Sequence, residues 1–254
     1  VIQSIPFVDI FRIARPFKEL SACASYDAQG WPTSAPSSAC IIRTVFLKDY
    51  SSNQLPEGQY TVIYEGSGTL TYGNYASLVS RSPGLDIINL SFAQTDPNRR
   101  RFDLNITTND VNNPIKNIRI VMPGGICTGN PFVRVNNANE CAADKPFISF
   151  ADTLRNDRNA IVFNPDYLNF MKSFKAIRFM NMSGITRNPV YAWEDRASID
   201  QATWGGAEGI RGAPMEVMVE LANRLHADPW FSMPHAASND FIQRDRKSTR
   251  LNSS

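Results

Sequence analysis

Hydrophobic and polar positions along this chain change period near its middle. In the first half they follow strand patterns. Residues 40–48 (CIIRTVFLK) are a β-branched and aromatic run, and 59–65 (QYTVIYE) follow a Pro56-Glu57-Gly58 turn. Residues 68–72 (GTLTY) and 85–92 (LDIINLSF) read the same way, each behind a glycine-containing turn. In 101–107 (RFDLNIT), Phe102, Leu104 and Ile106 alternate with polar neighbours, the two-residue period of a half-buried strand. A further strand is predicted at 115–122, stopped by Pro123-Gly124-Gly125, and residues 5–13 add an edge strand. Short strands with regular turn signals predict an antiparallel β-sandwich over 1–122.

Residues 123–160 are rich in Gly, Asn and Pro with little periodicity, and predict a linker or capping loop. From 161 the pattern alternates between helix and strand. Asn164-Pro165 reads as a cap followed by a first-turn proline, and Tyr167, Leu168, Met171 and Phe174 follow as a stripe. A buried strand is predicted at 176–180 (AIRFM). Pro214 then opens a helix with Met215, Met218, Val219, Ala222 and Leu225 on one face. Asp228-Pro229 ends that unit, and 230–233 (WFSM) is the next strand. This alternation implies parallel strands with crossover helices. A complete (β/α)8 barrel takes about 250 residues, so 161–244 predicts only the N-terminal part of one. The fold class expected is therefore β plus α/β: an antiparallel sandwich, then the first βα units of a truncated barrel.

Residues 245–254 (DRKSTRLNSS) carry one Leu and no periodicity, and predict a disordered tail. They also resemble the in-frame translation of a common sequencing adaptor, which makes the chain a metagenomic fragment on this reading. Without them the net charge falls from +2 to zero. Such a balance argues against a nucleic-acid partner. At 254 residues, 43% hydrophobic and 20% charged, the chain can bury a core. No run of 18 apolar residues reads as a transmembrane segment. The cysteines are Cys23, Cys40, Cys127 and Cys141, with no Cys-x-x-Cys spacing. Local pairs, Cys23 with Cys40 and Cys127 with Cys141, close short loops, although four cysteines permit three pairings. Disulfides point to an oxidising compartment and hence to export.

Residues at strand ends carry the chemistry of an α/β barrel. That rule selects Asn181 after the first strand, His235 after the second, and the long connection 182–213. The connection holds Trp193, Glu194, Asp195, Arg196, Trp204 and Gly205, Gly206, Gly209 and Gly212. Aromatic rings stack on the apolar face of a pyranose, while Arg and carboxylates take its hydroxyls. Arg178 lies between Ile177 and Phe179, so it shares a strand face with Met180. If that face is the barrel interior, the guanidinium needs a buried partner such as a carboxylate. Arg178, Asn181, Trp193, Asp195, Arg196 and His235 are the candidate substrate-binding residues. His226 ends a helix and takes a capping role. Glu194, Asp195, His235 and Asp240 lack ligand spacing, so no metal is expected, and no cofactor is implied. No catalytic carboxylate pair is identified. In a rival reading the sandwich binds carbohydrate through Tyr60, Tyr64, Tyr72 or Tyr75, in a non-catalytic binding or surface-adhesion protein. A purely structural envelope protein is a third.

The stretches LPEGQYTVIYEGSGTLTYG (55–73), IKNIRIVMPG (115–124), FNPDYLNFMKSFKAIRFMNM (163–182) and GAPMEVMVELANRLHADPWFSMPHAASNDFI (212–242) carry a resemblance. They resemble secreted bacterial glycoside-hydrolase-like proteins, some labelled cellulose-binding, in which a β-sandwich precedes a (β/α)8 barrel. Asp-Pro-Trp-Phe-x-x-Pro-His (228–235) is the most specific segment. The resemblance implies a retaining glycoside hydrolase acting on a β-glycan polysaccharide or oligosaccharide. Its catalytic Asn-Glu pair is expected beyond this sequence, so the fragment itself is expected to be inactive.

Overall fold

The computed structural model describes residues 5–48, 55–91, 101–184, 190–205 and 212–251. The chain folds as two compact units, Val1–Asn169 and Phe170–Ser254. The architecture is mixed α/β, with antiparallel sheets and few helices.

The first unit holds two main antiparallel sheets. One has the order β1 (Ile42–Lys48), β6 (Arg101–Asn109), β3 (Gly68–Asn74). The other has the order β4 (Ala76–Ser82), β5 (Leu85–Leu90), β2 (Gln59–Glu65), β7 (Lys116–Val121). Alternation sets their registers. In β6, Phe102, Leu104 and Ile106 are buried, and in β2 so are Tyr60, Val62 and Tyr64. Tyr72 of β3 donates to Asp86 of β5 at 2.7 Å, and Arg81 of β4 donates to the Leu70 carbonyl of β3 at 2.6 Å. These bonds tie one sheet to the other at a buried carboxylate that Arg81 also neutralises.

β4 has no counterpart in the predicted pattern. Its sequence, ASLVSRS, buries Ala76 alone, so burial left no alternating signature. The edge strand expected at residues 5–13 is instead an extended stretch followed by a 3-10 turn at Ile10–Ile13. The stretch forms single bridges, Asp9 to Val121 and Phe7 to Phe163. Asp9 breaks the strand. Its carboxylate turns back to accept from the Phe11 amide (3.1 Å) and from the Ile120 amide (3.0 Å). It also faces Arg12 at 3.4 Å and Arg119 at 3.3 Å. Phe11 packs against Trp31 and against Phe17, the first residue of α1 (Phe17–Leu20), and Phe17 also meets Trp31.

The segment 123–160, expected as a linker or capping loop, falls within the first unit. It carries the hairpin β8 (Gly125–Cys127) with β9 (Phe147–Ser149), then α2 (Phe150–Asn156). Ser149 caps α2 by accepting from the Asp152 amide. The Arg119 guanidinium donates to the Arg158 carbonyl, which holds this segment to β7. Its elements are short, in keeping with the low periodicity of its sequence. Both local cysteine pairs are bonded: Cys23–Cys40 with Cα atoms 5.7 Å apart, and Cys127–Cys141 at 5.5 Å. Helix α3 (Pro165–Met171) begins where the Asn-Pro pair predicts, with Asn164 accepting from the Asp166 amide.

The second unit is built on two parallel strands, β10 (Ala176–Phe179) and β11 (Asp228–Phe231), with α4 (Met215–Leu225) between them in sequence. Among the described residues this sheet has two strands, and no barrel units are shown. Phe179 and Phe231 stack across the pair at 5.3 Å. Of the stripe its spacing predicts, Met218, Val219, Ala222 and Leu225 are buried and Met215 is half-buried, and Val217 and Leu221 are buried beside them. His226 ends the helix in the left-handed region. Residues 245–251, expected to be disordered, continue α5 (Asn239–Leu251). Ser238 caps that helix by accepting from the Phe241 amide, and buried Phe241 anchors its first turn. Both outweigh the polar character of the residues that follow. No helix among the described residues is long and apolar enough to cross a membrane.

Candidate functional site

The second unit contains a pocket with about 490 Å3 of empty space, its solvent-open mouth included. Its position follows from the topology. Ser183 comes from the turn after β10, Ser232, Met233 and Pro234 follow β11 directly, and Ala213 and Met215 lie at the start of α4. The carboxyl ends of parallel strands are where α/β folds place ligands. The Ala213 amide donates to the Met182 carbonyl at 2.7 Å, which fastens the start of α4 to the turn after β10. Gly212 makes this possible. It sits at φ +71°, and a Cβ there would lie 2.2 Å from the Ser183 carbonyl carbon.

Arg196 forms part of the pocket wall. Its guanidinium lies 4.3 Å from the Trp193 ring centroid, donates to the Trp193 carbonyl at 3.4 Å and pairs with Glu216 of α4 at 3.2 Å. Trp193 in turn meets Phe241 edge-on at 5.3 Å. Phe241 and Asp245, one turn apart on α5, also line the pocket. Burial pushes the Asp245 carboxyl up to about 6.

Of the six candidate residues, Arg196 lines this pocket and half-buried Trp193 backs it. Asn181, Asp195 and His235 are exposed, and His235 directly follows the lining residue Pro234. Arg178 does share a face with Met180, but that face is exposed rather than interior. Its guanidinium stacks 5.2 Å from the exposed Trp230 ring, so it needs no buried carboxylate. Trp204 is buried. Gly206 and Gly209 lie outside the described residues. The sequence reading missed Met215, Met218, Phe231, Phe241 and Asp245 as pocket residues. The rule that selected His235 also marks Phe231 to Met233, while Asp245 was read as tail.

In the first unit the tyrosines proposed for a binding face are not gathered on one. Tyr60 and Tyr64 are buried, Tyr60 donates to the Pro56 carbonyl, and Tyr72 is committed to Asp86. No family model, curated protein or solved structure matches the chain.

Proposed function

We propose that this chain is the sandwich and first βα units of a secreted, polysaccharide-active glycoside-hydrolase-like protein, and that its own role is glycan binding. The observation that carries this reading is the placement of the pocket at the carboxyl ends of β10 and β11. That is the substrate end of a (β/α)8 barrel. Trp193 and Arg196 add an aromatic ring and a fixed guanidinium at the same end, a pairing suited to sugar rings and hydroxyls. The two joined antiparallel sheets support the sandwich, and the β10–α4–β11 order supports the barrel start. Two disulfides support an exported, bacterial-surface or secreted setting. No catalytic carboxylate pair is assigned to these residues.

Affinity electrophoresis in gels containing β-glucan, xylan or mannan tests the reading. The chain is expected to be retarded by one of them, and Arg196→Ala to lose most of that retardation. Equal migration of both proteins in every gel rules out a glycan site at Arg196.

A further inference from the structure

Resting on the reading of this pocket as the glycan-facing site, we infer that it selects a neutral glycan over one that carries uronic acid, and that Glu216 is the residue that excludes the acid. Among the described residues, Arg196 is the one cation in the pocket wall. It is the group a sugar carboxylate would seek. Glu216 follows the lining residue Met215 on α4 and already pairs with Arg196 at 3.2 Å. A uronate reaches the guanidinium only beside that carboxylate or by displacing it, and like charges at such range repel. Asp245 puts a second carboxyl in the wall.

The bonding capacity that remains points the same way. Arg196 Nη1 donates to the Trp193 carbonyl and Nη2 to Glu216 Oε1. Arg196 Nε and Glu216 Oε2 are buried with no hydrogen-bond partner among the described residues. One is a donor and the other an acceptor, and each left unmet is costly. A sugar hydroxyl both accepts and donates, so one hydroxyl or a neighbouring pair satisfies both atoms. A carboxylate only accepts, so it meets Nε and leaves Oε2 facing another anion. Trp193 holds the guanidinium at 4.3 Å, while the Glu216 side chain is 42% exposed and is the side that gives way to an incoming oxygen. The chain's net charge of +2 draws acidic glycans non-specifically, so a preference for neutral ones traces to this wall.

Titration calorimetry of the full chain at neutral pH tests this. The probes are cellohexaose, mannohexaose and xylohexaose, each beside its acidic counterpart. The first two are oxidised at their primary hydroxyls, and the third carries a glucuronate side group. For the oligosaccharide that binds, the acidic form is expected to bind at least about tenfold more weakly than the neutral one. Glu216→Gln keeps an oxygen for Arg196 and removes the charge, and is expected to narrow that gap to less than about threefold by tightening the acidic form. Glu220→Gln, one turn along α4 and paired with exposed Arg224, is expected to leave the gap unchanged. Raising the salt concentration is expected to narrow the gap in the unmodified chain, a readout that stands if Glu216→Gln fails to fold. Acidic forms that bind as tightly as the neutral ones overturn the inference and leave the glycan reading standing. A gap that Glu216→Gln leaves intact overturns the role of Glu216. Binding by none of the six probes overturns both the inference and the glycan reading.

Discussion

Replacing Asp9 by alanine removes the carboxylate that lies between Arg12 and Arg119 in the first unit. Asp9 is 4% exposed, Arg12 3% and Arg119 2%, so water cannot take its place without opening the core. Deleting one partner of a buried ion pair costs about 3–5 kcal/mol. Arg119 keeps its bonds to the Arg158 and Ile118 carbonyls, which holds the charge term near the lower end. The amides of Phe11 and Ile120 lose their acceptor, and each unsatisfied buried group costs about 1–3 kcal/mol when nothing relaxes. With each of these terms at its lower end the expected total is about 5 kcal/mol, a large part of a typical domain's 5–15 kcal/mol. With a urea slope of about 2 kcal/mol/M, the unfolding midpoint of the first unit falls by about 2.5 M. Far-UV circular dichroism across a urea series reads it. Asp9→Asn retains one acceptor oxygen and is expected to cost about half as much. A midpoint shift below about 0.5 M for Asp9→Ala refutes the reasoning, because the carboxylate would then not organise this corner of the core.

Two other perturbations test separate parts of the structure. Gly125→Ala places a Cβ 2.1 Å from the Ile148 carbonyl oxygen and 2.6 Å from the Phe147 ring, so the β8–β9 hairpin must shift. A loss of about 1–3 kcal/mol is expected, read as faster proteolysis within 123–150. The Asp245 carboxyl, raised to about 6, favours its protonated form in the folded state. Its contribution to stability is complete below the unfolded value of about 4 and is lost as pH rises through 6. Thermal melts of the chain between pH 4 and 7 are expected to show this slope, and Asp245→Asn to flatten it.

Much of the fold was legible because burial on one face leaves a periodic trace. β2 lies where its alternation places it, and β5, β6 and β7 lie within two residues of their predicted ends. The helix α4 follows its stripe from Met215 to Leu225. What escaped was held by interactions without a period. β4 pairs with β5 through its backbone and buries only Ala76. The Asp9 carboxylate converts an apolar run into a turn, a contact with Arg119 that no local pattern announces. The Cys127–Cys141 bond closes a stretch that reads as loop. The candidate site was legible by position, not by identity. The strand-end rule brought Arg196 and the Pro234 neighbourhood to the pocket. Inwardness along β10 could not be told from two strands' worth of sequence, so Arg178 fell on the exposed face.

The central claim is that glycan is held at the carboxyl ends of β10 and β11. Hydrogen–deuterium exchange of the full chain, with and without the polysaccharide that retards it most, measures this directly. The account predicts slower exchange in residues 190–196 and 231–235, with the sheets of the first unit unchanged. Protection confined to the first unit, or none in those two segments while the glycan is bound, contradicts it.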